Sequence, residues 1–148
     1  MIQSFWLDPR DKPALLIVLM RTLVGDAHIA LEGDLGDLDF SHISGAIYGA
    51  TATIHRESPD SETMIVLPLE HETIELILDQ VLAEGRVLKK IAAIQIEKSG
   101  DVEFMAGDYF HRECVSVGPA VPEPFLQELV RRGLIRGYMP GRQAQVSS

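Results

Sequence analysis

At 148 residues, with 46% apolar and 24% charged side chains, the chain has the size and composition of one self-folding domain and lies far from the compositional range of disorder. Its formal charge of −9 opposes the phosphate-backbone attraction on which most nucleic-acid binding depends, so nucleic acid is not an expected partner. The longest apolar run, residues 14–20, is seven residues long against the roughly 20 of a membrane-spanning helix. With no secretory pattern at the N-terminus either, no membrane partner and a cytoplasmic location are expected.

In chain order, Asp8-Pro9 pairs a capping side chain with a proline at the first helical position, which predicts a helix from there to about Val24, ended by Gly25. Apolar on all sides over 14–20, this helix is expected to be buried between a sheet and another element or at a subunit interface. Phe5 and Trp6 ahead of it are expected to anchor the segment to the core. Residues 28–31 read as a short strand and EGDLGDLDF as an acidic, glycine-punctuated loop. Residues 46–55 are β-branched or small and predict a strand, HRESPDSE a solvated turn, and residues 63–67 a further strand ending at Pro68.

Over 70–84, Ile74, Ile77, Leu78, Val81 and Leu82 fall on one helical stripe, with Gly85 as the stop. A hairpin follows: Ile94 and Ile96 alternate with Gln95 and Glu97, Ser99-Gly100-Asp101 turns the chain, and Val102, Phe104 and Ala106 alternate with Glu103 and Met105. Residues 114–117 read as a strand, 123–132 as a helix with Phe125, Leu126, Leu129 and Val130 as its apolar face and Gly133 as its stop, and 134–139 as a final strand. Residues 1–140 are expected to form one domain and 141–148 a flexible tail. Because the best-defined strand pair is a hairpin with one wet face, the expected class is α+β. It would hold a mostly antiparallel or mixed sheet of five or six strands, with about three helices mainly on one face.

The densest collection of reactive groups is DYFHREC, where Asp108, His111, Glu113 and Cys114 offer the parts of an activated thiol. An imidazole can take the thiol proton and a carboxylate can set its tautomer. Read as a strand, however, the segment points His111 and Glu113 to one face and Cys114 to the other. The residue types also suit a metal, with His28, His42, His55 and His71 as further donors, but no H-x-x-x-H, H-E-x-x-H or C-x-x-C spacing preorganises two ligands. Neither a metal nor a cofactor is expected. As the only cysteine, Cys114 excludes an internal disulfide and any multi-cysteine cluster within the chain.

Asp34, Asp37 and Asp39 lack the spacing, the glycine and the glutamate of an EF-hand loop. Glu70 and Glu72, on either side of His71, are accounted for by the positive end of a helix. No glycine-rich phosphate loop and no G-x-S-x-G elbow is present.

The charge is unevenly laid out. Asp26, Glu32, Asp34, Asp37 and Asp39 fall within 26–40, fifteen residues with five acids and no Lys or Arg, whereas Arg131, Arg132, Arg136 and Arg142 make the C-terminal end basic. The expected function is therefore non-enzymatic protein binding, with those five acids meeting a basic partner, or with self-association as a homodimer. In profile (small, acidic, α+β, without a catalytic set) the chain resembles bacterial toxin-immunity proteins, and the resemblance implies inhibition of a basic toxin by direct binding. The alternative is a small enzyme or ligand-binding domain with a pocket near Asp108 and Cys114.

Overall fold

The computed structural model describes residues 4–36, 38–49, 63–83 and 89–141. Within them the alternating segments become eight strands: β1 (Phe5–Pro9), β2 (Ala27–Gly33), β3 (Ile47–Gly49), β4 (Thr63–Pro68), β5 (Ile91–Lys98), β6 (Asp101–Ala106), β7 (Val115–Val117) and β8 (Ile135–Pro140). The described α-helices are α1 (Lys12–Leu23), α2 (Ile74–Leu82) and α3 (Glu123–Arg131). All strands join one open sheet in the order β3-β4-β2-β5-β6-β7-β1-β8, and every pairing is antiparallel.

Because side chains alternate along a strand, one face collects Leu67, Ile29, Ile96, Phe104, Val117 and Phe5, which stand side by side from β4 to β1. All are buried, in one cluster with Leu15, Leu19, Met20, Ile77, Leu126 and Leu129 of the helices. The α-helices thus cover this face, and the opposite face carries no α-helix among the described residues. No described helix is long and apolar enough to cross a membrane.

The α+β class and the hairpin are as the alternation predicts; the turn at Ser99 and Gly100 has φ of +53° and +90°, the primed turn that matches strand twist. The sheet, however, has eight strands, not five or six. The segment before the first helix is itself a strand, held between β7 and β8. That pairing also moves the helix start. D-P-R-D-K-P offers two Asp/Pro starts three residues apart, and β1 retains Asp8 and Pro9, so the cap is Asp11, whose Oδ1 accepts from the Ala14 N–H at 3.1 Å.

Asp11→Ala is accordingly expected to cost about 1 kcal/mol in urea unfolding. Asp8→Ala should cost less, since it loses only an exposed contact with Arg136 at 3.4 Å. The reverse ranking would restore Asp8 as the cap. The strand predicted beyond Gly49, the turn HRESPDSE, the stop at Gly85 and the tail past Gly141 lie outside the described residues.

Candidate functional site

Between β6 and β7 the chain reverses through two tight turns. Asp108, Tyr109 and Phe110 have φ of +48°, +57° and +67°, a left-handed stretch that costs L-residues roughly 1–2 kcal/mol each. Burial offsets that cost: Phe110 is 2% exposed, with its ring 6.0 Å from that of Phe104. The Tyr109 N–H donates to the Ala92 carbonyl at 3.0 Å, which ties the loop to β5, and the Gly107 N–H donates to the Cys114 carbonyl at 2.9 Å, which joins the loop's two ends. A 3-10 turn, Arg112–Cys114, follows, and His111 caps it: its Nδ1 accepts from the Glu113 N–H at 3.1 Å.

Both turns repeat every three to four residues, so side chains three apart fall on one side. Asp108, His111 and Cys114 have that spacing, and a carboxylate oxygen, an imidazole nitrogen and the thiol sulfur lie within 4.8 Å of one another. Asp108 and His111 are exposed and Cys114 is half-buried, while Glu113 is exposed and outside the cluster. The strand reading of this segment separated His111 from Cys114; the structure unites them, because β7 begins only at Val115. The sequence signal for this arrangement is the spacing D-x-x-H-x-x-C.

The acids of 26–40 are not brought together. Asp26 and Asp34 flank the seven-residue β2 at opposite ends, about 26 Å apart at the rise of an extended strand. Asp26 accepts from the Ser99 hydroxyl. Glu32 is 2% exposed, so it is not displayed on the surface with the other acids. Asp34 and Asp39 are exposed and Asp37 lies outside the described residues. The Ser41 hydroxyl and then its N–H hold the Asp39 carboxyl below the usual carboxylate range.

Of the arginines, Arg131 pairs with Glu128, and Arg136 donates to the Pro9 carbonyl at 2.9 Å. Arg132 shares a shallow hollow of about 520 Å³ with Arg10 and Lys12, and Arg142 lies outside the described residues.

The uncovered face of the sheet shows what the one-dimensional pattern did not. Ile47, Val66, Ala30, Gln95, Met105, Ser116, Trp6 and Met139 stand directly beside one another, one from each strand, in a row across the whole sheet. Ile47 (63%), Met105 (42%), Trp6 (40%) and Met139 (61%) are widely exposed along it. Trp6 is thus a surface residue, whereas Phe5 beside it packs in the core. A hollow of about 200 Å³ on this face is lined by Glu32, Met64, Gln95, Met105 and Asp108. A wider one, about 570 Å³, is lined by Trp6, Arg112, Glu113 and Met139. No protein-family model, curated protein or solved structure matches the chain.

Proposed function

We propose that this protein is a protein-binding domain whose contact surface is the uncovered face of its sheet, and that the chain seated on it is a second copy, packed sheet on sheet. The observation that carries this reading is the row across the uncovered face, in which Ile47, Met105 and the adjacent pair Trp6 and Met139 are exposed, with Gln95 and Ser116 as polar members between them. Large exposed apolar side chains gathered on one face with polar neighbours mark interaction surfaces. Eight strands spaced about 4.8 Å apart and about 17 Å long present roughly 600 Å², close to the ~800 Å² per partner of a standard stable interface. The row itself contains no ionisable side chain, so the centre of such a contact is uncharged, and the ionisable groups of the same face, Asp8 and Glu97 among them, lie to either side of it.

A second reading, a basic partner or toxin bound by the acids, draws on the net charge and on the exposure of Asp34 and Asp39. It predicts a monomer in the absence of that partner.

Light scattering at micromolar concentration separates the two. The wild-type mass is expected to be that of two 16.4-kDa chains. Met105→Glu, which sets a charge in the middle of the row, is expected to leave the circular dichroism unchanged and weaken association by roughly a hundredfold or more. A wild-type mass of one chain overturns the reading.

A further inference from the structure

Independently of the sheet face, we infer that Asp108, His111 and Cys114 form a binding site for a zinc-class divalent cation, with one coordination position left open. Their three donor atoms lie within 4.8 Å of one another. Bonds of about 2.0–2.3 Å hold tetrahedral ligands roughly 3.3–3.8 Å apart, so side-chain rotations that close the cluster by about 1 Å complete the geometry. One sulfur, one nitrogen and one oxygen select a borderline-soft ion, because calcium and magnesium take oxygen donors. Three protein ligands leave the fourth tetrahedral position for water or an incoming ligand. Asp108 alone of the three also lines the hollow of about 200 Å³ on the sheet face.

Binding has a built-in structural consequence. The His111 Nδ1 accepts from the Glu113 N–H, and coordination is incompatible with that bond through either ring nitrogen. If Nδ1 ligates, its lone pair goes to the metal. If Nε2 ligates, the neutral ring carries its proton on Nδ1, which then donates and no longer accepts. Either way the cation releases the cap of the 3-10 turn. The thiol must also ionise: the S–H bond breaks, a sulfur–metal bond forms and the proton passes to solvent, so affinity rises with pH.

The test uses cobalt(II) as a spectroscopic probe, followed by its displacement with zinc. The wild-type protein, with its thiol reduced, is expected to bind one ion per chain, with a thiolate-to-cobalt charge-transfer absorption and a shift of the Glu113 amide resonance. Cys114→Ser is expected to abolish the absorption and His111→Ala to weaken binding more than tenfold. Asp108→Asn should weaken it about tenfold with the absorption retained. Glu113→Gln, which alters an exposed carboxylate outside the cluster, should match wild type. All these side chains are at least partly exposed, and circular dichroism checks that each variant folds. Absence of the charge-transfer absorption, binding indifferent to Cys114→Ser, or an unmoved Glu113 amide would each overturn the site.

Discussion

Truncating Phe110 to alanine is expected to cost about 3–5 kcal/mol, the usual range for deleting a buried aromatic ring, and to lower the midpoint of thermal unfolding by roughly 10 °C or more. The ring is 2% exposed and leans on Phe104, itself fully buried in the sheet's covered face. More than cavity formation is at stake. Phe110 ends a run of three left-handed residues whose backbone cost is met by the burial of this one side chain. Without it the loop is free to leave the left-handed region, and Asp108, His111 and Cys114 lose their convergence. The comparison is Tyr109→Ala, with nearly the same φ but a side chain 41% exposed; its cost should stay within about 1 kcal/mol. If the two variants unfold alike, burial of Phe110 is not what holds the turn.

Gly33→Ala is expected to destabilise by about 3 kcal/mol, from an unfavourable backbone conformation and a steric overlap acting together. Gly33 has φ +144°, and a Cβ there would overlap the Lys90 carbonyl oxygen and stand 2.7 Å from the Ala92 nitrogen. Both atoms belong to the neighbouring chain at the start of β5, where the β2–β5 register shifts between Glu32 and Gly33. Backbone cannot step aside as a flexible side chain does, so the strands must part in the middle of the sheet. Gly36, three residues on, has nothing within 4 Å of an added Cβ, and Gly36→Ala should change stability by no more than about 0.5 kcal/mol. Urea unfolding of the pair measures the contrast directly. Equal effects would mean that the close approach of β2 to β5 is not tight.

Much of the fold was legible because its signals are local. The stripe of Ile74, Ile77, Leu78 and Val81 predicts α2, the alternation around Ser99-Gly100 predicts β5 and β6, and the cluster of Phe125, Leu126, Leu129 and Val130 predicts α3, of which Leu126 and Leu129 are buried and Val130 is exposed. In each, the residues that determine the conformation lie within a turn or two of one another. Composition and alternation likewise determined the α+β class and one covered sheet face.

Other features depended on partners far along the chain. Phe5–Pro9 is a strand only because Val117 and Pro140 flank Phe5, more than a hundred residues away. That pairing displaced the helix start from Asp8 to Asp11. The acids of 26–40 form one run in sequence, but β2 separates Asp26 from Asp34 by its whole length and leaves Glu32 buried in a hollow of the uncovered face. The reactive residues of DYFHREC were named from sequence, yet their convergence was not. It requires L-residues in the left-handed region, which local propensity disfavours and only the burial of Phe110 against Phe104 sustains. The sequence by itself determined the types and positions of these groups, since those are covalent facts. Which of them meet was decided by tertiary burial and long-range strand pairing, which outweigh local preference where the two conflict.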